Sequence, residues 1–117
     1  MGFPRGARLR EGREFSLVRE NGRVAQGRLL RVAFFLHPDR VDAKTGFITS
    51  KRVGGAVVRN RVRRRLREAI RLTRAHFPSG SRIVVIAKPA AATASFEELQ
   101  REWLLLAGRL SIFSPLP

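Results

Sequence analysis

The sequence predicts a single two-layer α+β domain: a small mixed four-stranded sheet with helices on one face, in the order α-β-β-β-α-β-α. Three observations predict it. The 117 residues suit one compact domain and leave little room for two. Hydrophobic residues make up 44% of the chain, which supports a core and excludes a wholly disordered basic tail. Short apolar runs with β-formers alternate with stretches of helical period, and Gly, Pro and Asn mark the breaks between them.

Residues 1–8, rich in Gly, Pro and Arg, read as a flexible basic arm ahead of a domain over residues 9–110. Leu9, Phe15 and Val18, with charges between them, predict a short amphipathic helix over 9–20 that ends at Asn21-Gly22. Residues 23–27 add a weak edge strand. Residues 28–36 form a strand with Leu30, Val32, Phe34 and Leu36 on one face and Leu29, Arg31, Ala33 and Phe35 on the other. His37-Pro38-Asp39 closes it, because Pro donates nothing to a ladder. A shorter strand over 46–50 carries Phe47 and Ile48. Gly54-Gly55 breaks the pattern, and a helix follows over about 56–75 with apolar positions at 58, 62, 66, 69 and 70. Pro78-Ser79-Gly80 stops it. Residues 81–87 read as a buried strand, and Ser95 caps a last helix running to about 109 with Glu97 and Glu98 in its first turn. Residues 111–117 form a tail.

Charge narrows the function. Lys plus Arg total 24 against 9 Asp plus Glu, a formal net charge of +15, and only Lys44, Lys51 and Lys88 of those cations are not Arg. An imbalance of this size points to a polyanionic partner. Arg pairs with phosphate in bidentate fashion, so nucleic acid is the first expectation. There is no Cys, which excludes disulfides, thiolate metal sites and a Cys nucleophile and suits a reducing, cytoplasmic setting. The N-terminal residues lack an apolar core, so a cleaved secretory signal is not expected. The longest apolar runs, 32–36, 83–87 and 103–107, fall far short of the ~20 residues of a membrane span, and no membrane partner is expected.

The strongest local feature is the stretch 51–74, in which 10 of 24 residues are cationic and only Glu68 is acidic. On a helix an i, i+4 row repeats about every 6 Å. Arg59, Arg63, Arg67 and Arg71 fall on one such row, while Arg61, Arg64, Arg65 and Arg74 flank the apolar seam on the other side. Like charges so spaced destabilise an isolated helix by about 0.2–0.5 kcal/mol per pair, a cost that binding to phosphates removes. A catalytic site made of protein groups is not expected: His37 and His76 have no Ser, Cys or carboxylate at diagnostic spacing. Asp39 and Asp42 read as turn residues rather than metal ligands, and Gly54-Gly55 as a simple turn.

Taken together, the stretch 46–68 is long and specific. It runs from Gly46-Phe47 through Ser50-Lys51-Arg52-Val53-Gly54 and Arg59-Asn60-Arg61 to Leu66-Arg67-Glu68. It closely resembles the protein subunit of bacterial ribonuclease P. Supporting pieces flank it in the right order: Leu9, Glu14-Phe15, Val18 and Gly22 before it, and Ile83-Val84-Val85-Ile86-Ala87-Lys88-Pro89, Phe96 and Leu99 after it. The resemblance covers about residues 9–110. It implies an unusual left-handed β-α-β crossover and a division of labour in which a large RNA subunit, with Mg²⁺ held mainly by that RNA and the substrate, cuts the 5′ leader from precursor tRNA. The protein, alone expected to be a monomer, binds the RNA subunit and the leader.

Carried over by position, Lys51, Arg52, Arg59, Asn60, Arg61, Arg63, Arg64, Arg65 and Arg67 are the implied RNA-binding residues. Phe15, Val18, Arg19, Phe35, Phe47 and Ser50 are the implied residues of a leader-binding cleft between the first helix and the sheet. Two departures stand out. The position after Val18, often aromatic in the family, is Arg19, and an often aromatic strand position is Ala33, so base stacking is expected to be weaker, with charge or Phe35 compensating. Arg in place of Lys at 52, 63 and 65 keeps the sign.

Overall fold

The computed structural model describes residues 5–9 and 12–113. Its elements are a 3-10 turn at Arg5–Ala7, α1 (Arg13–Asn21), β1 (Arg23–Gln26), β2 (Leu30–Leu36), β3 (Lys44–Ile48), α2 (Ala56–Arg71), a 3-10 turn at Arg74–His76, β4 (Ser81–Ala87), a 3-10 segment at Pro89–Thr93 and α3 (Phe96–Arg109). The expected element order is realised, with shifted boundaries. Residues 28–29 are not strand, because the β1–β2 hairpin closes there: Gly27 donates its N–H to the Leu30 carbonyl at 2.9 Å, while the Leu29 and Leu30 N–H groups donate to Glu102 Oε2 of α3 at 2.8 and 2.6 Å. Leu9 is not helical, because its N–H donates to the Thr45 carbonyl at 2.8 Å and Arg8 bridges Thr45 in parallel fashion. The helix expected to about 75 ends at Arg71, where a Thr73 N–H to Ile70 carbonyl bond of 3.0 Å tightens the chain toward the 3-10 turn.

The four strands lie in the order β1-β2-β4-β3. β2 is antiparallel to β1 and to β4, whereas β3 runs parallel to β4 in the register Lys44↔Arg82 to Ile48↔Ile86. A parallel pair cannot be joined by a tight turn, and α2 supplies the β3-α2-β4 crossover. One sheet face carries Leu30, Val32, Phe34, Ile83 and Val85, and it packs against Val62, Leu66 and Ile70 of α2 and Leu99, Trp103 and Leu106 of α3. Nearly all of these side chains are wholly buried. Each contributes about 1.5–3 kcal/mol of burial.

The helices do not all share one face. α1 sits on the opposite side, where Phe15 and Val18 pack with Leu9, Ala33 and Val84 in a second, smaller cluster. The reason lies in the strands: β2 and β4 are apolar on both faces, so both need cover, and the α2/α3 layer supplies only one. α1 has 9 residues and two buried side chains, so it covers part of that face and leaves a recess beside it.

The described segments nearest either terminus are packed onto the domain. Of the arm expected over 1–8, residues 1–4 lie outside the described residues; Ala7 is buried in the main core, so the arm is docked at that point. Of the tail expected over 111–117, residues 114–117 lie outside the described residues; Ile112 is wholly buried and Phe113 stacks on Phe77 with ring centroids 6.4 Å apart. Ser95 and Glu98 form a capping box that starts α3, and Trp103 Nε1 donates to Thr73 Oγ1 at 3.1 Å. Among the described residues no helix is long and apolar enough to cross a membrane.

Glu102 is the outside brace of the β1–β2 hairpin. Glu102→Ala strands the Leu29 and Leu30 N–H groups and is expected to lower stability by about 1–3 kcal/mol, measured by urea denaturation at unchanged m-value.

Candidate nucleic-acid interface

The interface begins at the turn between β3 and α2. Gly54 adopts φ +153°, and a Cβ there would meet Val58 Cγ1 at 2.9 Å, so this position suits glycine alone. Lys51 and Arg52 are exposed in the turn, which is closed by a Val53 N–H to Ser50 carbonyl bond of 3.0 Å. From Gly55 the chain enters α2, and the burial of Val62, Leu66, Ala69 and Ile70 sets the helix's rotation. That rotation sends the arginines to the two flanks and the crest of the helix.

On one flank Arg63 donates to Thr49 Oγ1 at 2.6 Å and to Asn60 Oδ1 at 3.0 Å, and the Arg67 guanidinium lies 5.8 Å from the centroid of the Phe47 ring. Burial, and then the proximity of Arg8 and Arg63, hold Arg67 below the ordinary arginine range. On the other flank Arg61 donates to the Ala92 carbonyl at 3.0 Å and Arg65 to the Ala94 carbonyl at 2.7 Å. These two side chains brace the segment before α3 as well as facing outward. Arg64, on the crest, is exposed. Arg71 leaves the expected row of four: Glu68 accepts from its Nε and Nη2 at 2.9 and 2.7 Å, and it is the one α2 cation in an ion pair among the described residues. Arg59, Arg61 and Arg67 each keep a buried Nε with no hydrogen-bond partner. Apart from Arg71, the α2 cations have no carboxylate partner among the described residues, and charge left uncancelled in this way is suited to phosphate oxygens.

The second part of the interface is the recess beside α1. A cavity of about 290 Å³ is lined by Arg19, Val24, Arg31, Ala33 and Ile86, and a smaller one of about 210 Å³ by Gly12, Phe15, Ser16 and Arg19. Phe15 and Val18 form the floor under α1; Val18 is wholly buried and offers no surface to a ligand. Phe15 seats on β3 only because residue 46 is glycine, since a Cβ there would collide with the Phe15 ring. Phe35 shares this sheet face, half-buried and edge-on to His37 at 6.2 Å between ring centroids. Ser50 is exposed in the turn after β3.

Phe47 is not in the recess. It pairs with Val85, whose side chain points into the main core, so Phe47 faces α2 and Arg67 while Gly46 and Ile48 face α1. Five recess residues, Gly12, Ser16, Val24, Arg31 and Ile86, were not among the expected cleft positions. Arg31 was nonetheless legible, because alternation places it on the face of Ala33 and Phe35. Asp42, expected to do no more than form a turn, also bonds to Arg82. Among the described residues no three His, Cys, Asp or Glu side chains converge to hold a metal ion.

Residues 3–111 match the family model described as Ribonuclease P. The chain is 46% identical over 110 residues to the ribonuclease P protein component of Acidothermus cellulolyticus, covering 93% of this chain and 92% of that protein. The structure of the RNase P protein of Staphylococcus aureus superimposes with a TM-score of 0.85 at 22% identity, covering 92% of this chain and 98% of that one, a likeness of fold. That of Thermotoga maritima superimposes with a TM-score of 0.72 at 28% identity, covering 85% and 94%.

The arginines of α2 separate into braces and free cations. Arg65→Ala, which abandons the Ala94 carbonyl, is expected to cost about 1–2 kcal/mol of stability. Arg64→Ala is expected to stay within about 0.5 kcal/mol of the parent, with thermal unfolding of the two variants as the comparison.

Proposed function

The chain belongs to the bacterial ribonuclease P protein family, whose members work with an RNA subunit in tRNA 5′ processing, and on that premise we propose how its two surfaces divide the work. The α2 surface, with Lys51 and Arg52, binds the catalytic RNA subunit. The recess between α1 and the sheet takes the single-stranded 5′ leader of precursor tRNA. The observation that carries this reading is the charge left open on α2, where Arg71 alone among its cations has a carboxylate partner among the described residues.

The RNA is the catalyst in this reading, and Mg²⁺ supplies its Lewis acidity while held by RNA and substrate. The chain's own residues bind and orient. Arg59, Arg63, Arg64 and Arg67 lower the repulsion between phosphates that a folded RNA brings together. Around the recess Arg19 and Arg31 meet leader phosphates, and Val24, Ala33 and Ile86 give the bases an apolar floor. Ala33 cannot stack a base as an aromatic residue would, so charge does the larger share of the holding here. A leader held in this way favours precursor over mature tRNA.

Reconstitution tests the reading. Added to a ribonuclease P RNA at physiological Mg²⁺, the chain is expected to restore leader removal, and without the RNA it is expected to cut nothing. Cleavage by the chain alone would overturn the proposal. Leader affinity is also expected to fall with salt at a log–log slope near −0.7 per phosphate contacted, and a flat salt response would count against the charged recess.

A further inference from the structure

β4 is apolar apart from Ser81 and Arg82 at its start, and Arg82 is only 2% exposed. A buried guanidinium is tolerated when its donors are spent. Arg82 Nε donates to Glu14 Oε2 at 2.7 Å, Nη1 to the Asp42 carbonyl at 2.6 Å and the Ser81 carbonyl at 3.0 Å, and Nη2 to Asp42 Oδ1 at 3.0 Å. Arg82 therefore joins three pieces of chain: the first turn of α1, the loop before β3 and the start of β4.

Its place on the sheet matters. Arg82, Val84 and Ile86 share the α1 face by alternation, and Ile86 lines the recess. α1 lies over that row with Glu14 at the Arg82 end and Arg19 at the recess, about 7–8 Å further along its axis. The helix has few other restraints. It is 9 residues long, its N-cap Gly12 offers no side-chain cap, and only Phe15 and Val18 are buried. Its C-terminal end is held by the one-residue Gly22 link into β1, and its middle by two apolar contacts; the charged hydrogen bond at its first turn is what fixes its N-terminal end on the sheet.

We propose that Glu14 and Arg82 are positioning residues for leader binding: their ion pair sets the angle of α1 on the sheet and so holds Arg19 across the recess from Arg31. This inference rests on the leader reading of the recess given above. The pair touches no RNA itself. It is separate from the α2/α3 layer, which packs on the other face, so its loss acts on one surface and spares the other.

The test compares Glu14→Ala, which leaves Arg82 without its α1 partner, with Arg82→Met. The second variant frees two carboxylates that are already 34% and 51% exposed and can turn to water, so it keeps the test available where the first fails to fold. In the free protein, amide hydrogen exchange of α1 is expected to quicken in either variant while the α2 and α3 amides keep their protection. In the holoenzyme reconstituted with the RNA subunit, the gain in affinity that a leader confers on precursor over mature tRNA is expected to fall about tenfold. Affinity for the RNA subunit is expected to stay unchanged, and so is single-turnover cleavage at saturation. In an Arg19→Ala background the Glu14 change is expected to add nothing further. Unchanged α1 exchange overturns the proposal outright. Quickened exchange with a normal leader gain overturns it as well if Arg19→Ala and Arg31→Ala each reduce that gain. If neither of those two variants reduces it, the leader reading of the recess has failed and the proposal falls with it.

Discussion

The burial of Val62, Leu66, Ala69 and Ile70 against the sheet is the constraint on which the rest depends. It fixes α2 in rotation, and rotation decides where every guanidinium on that helix goes. Of the arginines between residues 56 and 71 none replaces a seam residue, so the apolar spine and the cationic flanks do not compete. The seam anchors the helix strongly enough to hold like charges at helical spacing, each pair of which opposes the helix by a few tenths of a kcal/mol. The result is a cationic array whose backbone is already ordered before any partner binds.

The other face of the sheet follows a different logic. α2 and α3 make a thick layer with a continuous core, whereas α1 makes a thin and partial one. A full cover would have left no recess; no cover would have left β2 and β4 with an apolar face in water. α1 is short enough to leave Val24, Arg31 and part of Ile86 accessible beside it over a buried Ala33, and its own Arg19 forms one wall. The two faces thus differ in character: one is strongly charged and backed by a continuous core, the other a shallow recess of mixed charged and apolar lining.

Hydrogen bonds sort the arginines further. Those at 61 and 65 are held to the carbonyls of Ala92 and Ala94, and that at 63 to Thr49, which pre-orients their remaining donors. Arg71 is neutralised by Glu68 and leaves the row. Arg64 stands exposed on the crest, and among the described residues no α2 cation other than Arg71 has a carboxylate partner.

Several features were legible in the sequence because their cause is local. The period of the apolar seam, the Gly54-Gly55 break, the Ser95 cap and the alternation of residues 30–36 each depend on neighbours within a few positions. The element order and the location of the cationic surface followed from them. Other features depend on partners far along the chain. That Phe47 faces α2 follows from its register with Val85, that α1 covers the second face follows from the sheet order, and the burial of Arg82 needs Glu14 from 68 positions away and Asp42 from 40. By itself, then, the sequence determined that a helix would carry apolar residues on one side and arginines on the rest, because helical period is a property of adjacent turns. Only the tertiary structure decided which arginines are braced, which are paired and which stand open beside a recess, because those outcomes require strand pairing and helix packing that no short window contains.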